Sequence, residues 1–323
     1  MPETPAGCRD GSNPAEPVVD DSLTTIAIDS IDDPRLGPYR HLKRNNDTHR
    51  SRLFVVEGDK LVERLLASRF RLHSLLFGRR YWQRISLAIP GQIPVYLVDD
   101  KQIEELVGFN FHRGALACAF RAELDGRWQY LQALDAACAP ATGRPAVVVV
   151  CPAVHDPENL GSLLRTSAAF GATAMLAGEQ SADPLSRRVL RVSMGASLSL
   201  PIWRTDNLEH ALAELRERWS FERLAAVPDS GAEFLPAIET GVRIALVLGS
   251  EGPGLDPRWL AACDRAVRIP MQAGTDSLNV AVAGGILLYH LCASHLAPQD
   301  PLGKPTVEPN PGLEAASIAR HGL

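Results

Sequence analysis

The stretch IPMQAGTDSLNVAVAGGILLY, residues 269–289, organises the predicted fold of this 323-residue chain. It begins at the end of a predicted strand, passes through a glycine-containing loop and continues into a helix with apolar residues on every side. A helix without a polar stripe must be buried all round, by its own domain and by a second subunit. Ser277 and Asn279 stand where that helix begins, and polar groups there need partners that a ligand can supply. The alternative is a plain core helix with Ser277 as its N-cap.

Two further stretches combine a buried strand with a loop. VRIALVLGSEGPGL, residues 242–255, is an apolar run that ends in a loop whose glycines allow sharp turns or close approach to a ligand. AVVVVCPAVHDPENLGSLLRTSAAFG, residues 146–171, repeats the order of strand, loop and helix. All three loops follow the carboxyl ends of predicted strands, which is where ligands bind in parallel sheets.

From residue 145 onward predicted strands and helices alternate, and this alternation indicates a parallel sheet with helices on both faces. The predicted strands are 146–152, 172–177, 200–204, 223–227, 243–249 and 266–269. The predicted helices are 158–169, 184–195, 207–219 and 278–293, with one short helix between the last two strands.

These stretches resemble the SpoU, or TrmH-like, branch of the SPOUT RNA methyltransferases. The resemblance is carried by NLGSLLR at 159–165, by LGSEGPGL at 248–255, and by IPM and SLNVAVA within 269–283. It extends over residues 145–295, and VSMGASLSLPIW at 192–203 is similar to the family's segment between its first two motifs. The resemblance, and not the spacing, implies a deep trefoil knot in the C-terminal segment that holds S-adenosylmethionine.

S-adenosylmethionine carries a methyl group already activated on a sulfonium, so its protein mainly has to hold donor and acceptor close together and in line. The resemblance implies that main-chain groups of the last two motif loops grip the adenosine part. The corresponding positions are Leu248, Gly249, Ile269, Met271 and Leu278. A dinucleotide site is disfavoured, because no GxGxxG motif follows the first strand of this domain.

The resemblance also implies five catalytic residues, namely Arg165, Asn159, Glu251, Ser277 and Asn279. We expect Arg165 to orient the ribose 2′-hydroxyl and a neighbouring phosphate, because a permanently protonated guanidinium is a poor base. Asn159 would hold the loop or Arg165, and Glu251 would bind RNA or steady its own loop. Ser277 and Asn279 would complete the pocket. The structural alternatives are an Arg165 whose aliphatic stem only covers neighbouring surface or that pairs with an acid, and a Glu251 whose charge only favours a helix start.

The charge is unevenly distributed along the chain, although the net charge is −5. Residues 1–32 contain one Arg and seven Asp or Glu, which gives 1 − 7 = −6. Residues 33–90 contain thirteen Lys or Arg and five acids, which gives 13 − 5 = +8. Clustered basic residues are typical of phosphate binding, and a solvated basic face without a partner is the alternative.

The N-terminal half predicts a disordered acidic tail at 1–32 and a small α/β domain at 33–121. LFVVEGDKLVERLL at 53–66 and FHRGALA at 111–117 resemble the substrate-binding domain of many SpoU-type enzymes, whose fold is similar to kink-turn-binding ribosomal proteins. A linker at 122–144 is expected to lead to the methyltransferase domain at 145–299. The expected RNA-binding residues are Arg40, Lys43, Arg44, Arg50 and Arg52.

Other features limit the function class. The chain has no run of eighteen apolar residues and no secretory signal pattern. Residues 300–323 are expected to form a frayed tail. The six cysteines have no CxxC spacing, which indicates reduced thiols rather than a metal site. His155 is not required by the family motif, and Ser277 lacks the GxSxG pattern of a serine hydrolase. The sequence therefore predicts a cytoplasmic, homodimeric, S-adenosylmethionine-dependent methyltransferase of ribose 2′-hydroxyls in rRNA or tRNA, without metal or membrane. The alternative is an RNA-binding protein that keeps the fold and has lost the chemistry.

Overall fold

The computed structural model describes residues 24–40, 42, 52–84, 87, 89–91, 93–108, 114–121, 126–139, 145–229, 231–238, 241–250, 252, 254–272 and 274–292. These residues form two sheets, each with helices packed against it. The N-terminal part contributes a five-stranded mixed sheet, and the C-terminal part contributes a seven-stranded parallel sheet.

The first sheet is built from strands β1 (Thr25–Ala27), β2 (Leu53–Glu57), β3 (Leu72–Gly78), β4 (Val95–Val98) and β5 (Ala115–Phe120). Their order is β1-β4-β3-β5-β2, with β5 antiparallel to both of its neighbours and the other pairs parallel. Three helices and one 3₁₀ helix accompany it: α1 (Asp59–Leu66), α2 (Arg79–Trp82), α3 (Asp100–Val107) and Pro34–Tyr39. The expected small α/β arrangement of this region is confirmed.

Part of the segment expected to be a disordered tail is ordered. Thr25–Ala27 pairs with β4 in parallel register, and Ile28 is buried in the core of the first sheet. The prediction of a disordered tail is therefore wrong for residues 24–32, because this short strand completes an edge that the local sequence does not reveal. Residues 1–23 lie outside the described residues.

The expected linker contains a helix. Helix α4 (Arg127–Ala137) lies inside 122–144, and its Tyr130 and Leu134 are buried against the second sheet. The expectation of a plain linker is therefore wrong for residues 127–137, because burial against the sheet stabilises a helix there.

The second sheet is parallel throughout, as predicted. Its strands are β6 (Ala146–Cys151), β7 (Ala174–Gly178), β8 (Ile202–Thr205), β9 (Glu222–Ala226), β10 (Glu233–Phe234), β11 (Arg243–Leu248) and β12 (Arg265–Arg268). The strand order is β10-β12-β9-β11-β6-β7-β8. The helices that follow α4 are α5 (Pro157–Ala169), α6 (Arg187–Val192), α7 (Ala196–Ser199), α8 (Leu208–Trp219), α9 (Pro257–Ala261) and α10 (Val280–Cys292).

Each face of the second sheet carries its own core. In β6, Val147, Val149 and Cys151 pack with α5 and α10, whereas Val148 and Val150 pack with α4 and α8 on the other face. A strand buried on both faces reads as a continuous apolar run, which is why AVVVVC was recognisable in the sequence.

Two details differ from the sequence prediction. The helix expected at 184–195 is shorter, since α6 ends at Val192 before Met194 and Gly195, which adopt left-handed backbone angles with φ of 51° and 81°, and the separate helix α7 follows. Strand β10 and the 3₁₀ helix Leu235–Ala237 were not predicted, and two or three residues are too few to carry a hydrophobic period.

The two sheets contact each other through α6, α7 and the segment that follows α1. Arg187 pairs with Glu57 at 3.3 Å, Arg121 pairs with Asp183, and Arg69 donates to the carbonyl oxygen of Leu198 at 3.4 Å. The side chains of Leu190 and Leu198 belong to the same apolar cluster as α1 and β3. Among the described residues, no helix has both the length and the apolarity that crossing a membrane requires.

Candidate functional site

A cavity of about 550 Å³ opens at the carboxyl edge of the second sheet. Loops that follow β9, β11 and β12 form its walls, together with the first turns of α10. The five positions expected to hold the donor, Leu248, Gly249, Ile269, Met271 and Leu278, all line this cavity. Three loops from separate strands therefore converge where parallel sheets bind ligands.

The loop after β11 turns tightly against the cavity. The backbone amide of Ser250 donates to the carbonyl oxygen of Gly254 at 3.0 Å, and Gly252 and Gly254 have φ of 79° and 74°. A Cβ at Gly249 would lie 2.5 Å from the carbonyl carbon of Gly254 and from the amide nitrogen of Leu255. Only glycine at position 249 allows the two arms of the loop to approach this closely.

Asn279, not Ser277, is the N-cap of helix α10. The side-chain oxygen of Asn279 accepts from the amides of Ala281 at 2.9 Å and Val282 at 3.3 Å. The alternative with Ser277 as N-cap is therefore wrong. Ser277 is exposed and lines the cavity beside Asp276. Its hydroxyl lies on the wall of the cavity, where a ligand can reach it.

A chain of side-chain hydrogen bonds joins the first motif to helix α10. Asn279 donates from its amide nitrogen to the side-chain oxygen of Asn159 at 2.9 Å, and Asn159 donates to the carboxylate of Asp156 at 3.3 Å. Asp156 also caps α5 by accepting from the amide of Glu158 at 2.8 Å. Asn159 is 9% exposed, so its amide is nearly withdrawn from water and both of its ends are satisfied within the protein.

Arg165 lies outside the cavity. It is exposed on α5 and is not among the residues that line this cavity, and no described carboxylate lies within ion-pair distance of it. The predicted catalytic residues therefore fall into two groups within one chain. Asn159, Ser277 and Asn279 lie together at the sheet edge, whereas Arg165 faces solvent. Glu251 lies outside the described residues.

The loop after β9 was missed by the sequence analysis. Val227, Pro228 and Asp229 line the cavity and follow Ala226, the last residue of β9. The available signal was the predicted strand at 223–227, since its carboxyl end had to reach the same edge as the other strands. Asp229 places a carboxylate on the cavity wall, and Asp276 provides another.

Two of the five expected RNA-binding residues belong to the described part of the chain. Arg40 is half-buried, pairs with Asp32 at 3.4 Å and donates to the carbonyl oxygen of Asp33 at 3.1 Å. Arg52 is exposed at the start of β2. The remaining three, Lys43, Arg44 and Arg50, lie outside the described residues.

Among the described residues, nothing of its own domain covers one side of helix α10. Its apolar residues Val282, Ile286 and Tyr289 are 52%, 39% and 62% exposed. They recur at intervals of four and three residues and therefore form one stripe along the helix. Phe170 at the end of α5 contacts the ring of Tyr289, with ring centroids 5.8 Å apart.

The described cysteines are free thiols, and burial raises the pKa of Cys118 and Cys151 to about 12. Both are therefore poor nucleophiles at neutral pH. Within the described part of the chain, no group of three or more His, Cys, Asp or Glu side chains could hold a metal ion.

Comparison with known proteins yields consistent matches. The SpoU rRNA Methylase family matches residues 146–289. An uncharacterized tRNA/rRNA methyltransferase of Mycobacterium tuberculosis is 36% identical over 288 residues, which cover 86% of this chain and 96% of that protein. A 23S rRNA (guanosine-2′-O-)-methyltransferase of Acinetobacter baylyi is 29% identical over 224 residues, which cover 68% of this chain and 86% of that protein.

The fold is also found among solved structures. The AdoMet-bound rRNA methyltransferase from Sinorhizobium meliloti superposes with a TM-score of 0.69 at 22% identity, covering 84% of this chain and 99% of that one. At this identity the likeness establishes a shared fold over both parts of the chain.

Proposed function

The chain belongs to the SpoU rRNA methylase family of RNA methyltransferases, and from this premise we propose that it transfers a methyl group from S-adenosylmethionine to a ribose 2′-hydroxyl in rRNA or tRNA. The observation that carries the proposal is the cavity at the carboxyl edge of the second sheet, which all five expected donor-binding positions line. The relative in Acinetobacter baylyi is named as a guanosine-2′-O-methyltransferase of 23S rRNA, which supports the ribose as acceptor.

The cavity fits S-adenosylmethionine in size and chemistry. A volume of about 550 Å³ lies within the ~300–1,000 Å³ that is typical of cofactor sites. Apolar side chains of Leu248, Ile269 and Leu287 offer a surface for an adenine ring, and the backbone around Gly249 is open to hydrogen bonding. The carboxylates of Asp229 and Asp276 complement a ligand that carries positive charge. When bound, S-adenosylmethionine supplies an activated methyl group.

The remaining chemistry belongs to residues of this chain. Asn159 and Asn279 hold the first motif against the start of α10 and so fix the acceptor side relative to the donor side. Arg165 orients the 2′-hydroxyl and an adjacent phosphate with its planar fork. Because the guanidinium keeps its proton, the hydroxyl proton leaves to phosphate or to water.

We further propose that the enzyme is a homodimer through the second sheet's domain. The stripe of Val282, Ile286 and Tyr289 is apolar and exposed, and a second copy of α10 is the occupant that matches it. The C-terminal trefoil knot and the substrate-binding role of the first domain, with Arg40, Lys43, Arg44, Arg50 and Arg52, also remain proposals from the family resemblance.

An inactive RNA-binding protein is the second candidate, and one experiment separates the two. The purified protein is titrated calorimetrically with S-adenosylmethionine and then incubated with radiolabelled donor and total RNA, and its binding to the same RNA is measured by filter retention. We expect saturable donor binding and label in RNA. RNA binding without either donor binding or transfer would establish the second candidate.

A further inference from the structure

A second cavity lies between the two sheets, away from the donor cavity. Its volume is about 670 Å³. One wall is β8, the edge strand of the second sheet, and the other is formed by Arg69, Phe70 and Arg121 of the first domain. It reaches the carboxyl edge of the sheet at Glu179 and Asn207. We call it the interdomain cleft.

The interdomain cleft is rich in arginine. Arg69, Arg121, Arg127 and Arg204 line it, against two acids, Glu179 and Asp206. Two of these arginines have partners in the protein: Arg121 of one wall pairs with Asp183 of the other, and Arg204 donates to the carbonyl oxygen of Glu179 within the wall of the second sheet.

The positive charges of the other two arginines, Arg69 and Arg127, are only weakly compensated by carboxylates of the described residues. Within the described residues, the contacts of Arg69 are carbonyl oxygens, those of Leu198 at 3.4 Å and Ser199 at 3.5 Å, and no carboxylate lies in ion-pair range. Arg127 reaches the buried carboxylate of Glu214 only at 3.7 Å, beyond hydrogen-bond distance, and its own side chain is 50% exposed. Both guanidinium groups remain available to an anion.

Two helices also begin at the interdomain cleft. Helix α4 has Gly126 as N-cap, without a side chain to satisfy the first amides, and α8 starts after Asn207. Helix N-termini present free N–H groups and positive partial charge, which favour phosphate. The aromatic rings of Trp203 and Phe70 lie beneath Arg127 and Arg69, at 4.9 and 5.0 Å from the guanidinium carbons. Such stacked guanidinium groups are typical of nucleic-acid recognition.

The interdomain cleft and the donor cavity lie along the same edge of the second sheet. Both cavities open at the carboxyl edge, and β8 is three strand positions from β11, or about 14 Å at ~4.8 Å per strand. One RNA strand can therefore lie in the interdomain cleft while a neighbouring nucleotide reaches the donor. We propose that the interdomain cleft binds phosphodiester groups of the substrate RNA beside the target nucleotide, with Arg69 and Arg127 as the contacting residues. This proposal rests on the RNA methyltransferase function above.

The test compares RNA binding by the full-length protein and by variants in the interdomain cleft. The probe is a fluorescein-labelled single-stranded RNA of mixed sequence, and its anisotropy is measured over a series of KCl concentrations. Arg69→Gln combined with Arg127→Gln should weaken binding roughly tenfold. The slope of log affinity against log salt should fall by about 1.4, since each lost contact to single-stranded RNA removes about 0.7. Arg216→Gln, in the last turn of α8 and outside the interdomain cleft, is the matched control and should change neither quantity.

A second variant guards against a folding artefact. Glu179→Gln removes an acid from the interdomain cleft and should tighten RNA binding several-fold, an effect that unfolding cannot produce. If the arginine double variant binds with wild-type affinity and salt slope while the wild type methylates RNA, the cleft proposal is overturned and the methyltransferase proposal stands. If the arginine variant weakens RNA binding as expected but the wild type binds no S-adenosylmethionine, the methyltransferase proposal falls and the cleft remains.

Discussion

The side-chain amide of Asn279 donates to the side-chain oxygen of Asn159 at 2.9 Å, although the two residues are 120 positions apart. The same Asn279 caps helix α10 with its oxygen, and Asn159 is held by Asp156, the cap of α5. One asparagine thus joins the starts of two helices that belong to different motifs. This bond therefore ties the start of α10 to the start of α5.

Replacement of Asn279 should therefore impair both donor binding and turnover. Asn279→Ala removes a helix cap, which costs about 1 kcal/mol, and it breaks the bond to Asn159. Calorimetric donor affinity and single-turnover methyl transfer would both be measured. Asn207→Ala, which removes the corresponding cap of α8, is the control and should cost similar stability without altering donor affinity. Equal donor affinity in Asn279→Ala and wild type would show that the bond does not shape the cavity.

A side chain at position 249 should abolish donor binding. In Gly249→Ala the new Cβ would meet the backbone of Gly254 at 2.5 Å, so the loop after β11 must open and the cavity wall must shift. Equilibrium dialysis with radiolabelled S-adenosylmethionine measures the loss. Gly241→Ala, just before the same strand, has nothing within 4 Å of its Cβ and should bind normally. Normal donor affinity in Gly249→Ala would place the donor elsewhere.

A charge on the exposed stripe of α10 should dissociate the proposed homodimer. Ile286→Lys places an ammonium in the middle of Val282, Ile286 and Tyr289, where dimerisation would have to desolvate it. Sedimentation velocity should change from dimer to monomer. Val242→Lys, at another exposed apolar residue, should leave the dimer intact. A wild-type protein that sediments as a stable, active monomer would contradict the proposal.

Much of the fold could be predicted because buried strands and helices have recognisable patterns of apolar residues. Ala146–Cys151 is apolar at every position because its side chains enter two cores in alternation. The pattern of apolar residues in helix α4 is weaker. Its Tyr130 and Leu134 become core residues only because α4 packs against the second sheet, and a local pattern cannot reveal that contact. The strand Thr25–Ala27 is likewise defined by its partner β4.

The candidate site was predicted unevenly for a similar reason. The residues that line the donor cavity sit in loops after strands, and the order of strands along the sheet brings them together. The N-cap of α10 could not be decided, since Ser277 and Asn279 are both favourable cap residues and only the hydrogen bonds to Ala281 and Val282 distinguish them. The bond from Asn279 to Asn159 depends on the contact between α5 and α10, which no local spacing encodes.

Arg165 should be needed for turnover and not for donor binding, because it lies outside the donor cavity. Arg165→Ala is expected to bind S-adenosylmethionine as the wild type does and to lose at least ~10²-fold in single-turnover rate, a loss of the size that removing one charge-stabilising group causes. Arg165→Lys should also be slow, because a point charge cannot replace the planar fork. Arg191→Ala, an exposed arginine on α6, is the control. If Arg165→Ala transferred methyl groups at close to the wild-type rate, the first motif would only be a structural helix start.

The position of the transferred methyl group tests the central proposal most directly. RNA from cells that lack the gene is incubated with the purified protein and methyl-labelled S-adenosylmethionine, digested to nucleosides and separated by chromatography with mass detection. The proposed function predicts that the label is recovered in a 2′-O-methylnucleoside, and that the adjacent phosphodiester resists alkaline hydrolysis. Label recovered in a base-methylated nucleoside, with the ribose unmodified, would contradict it.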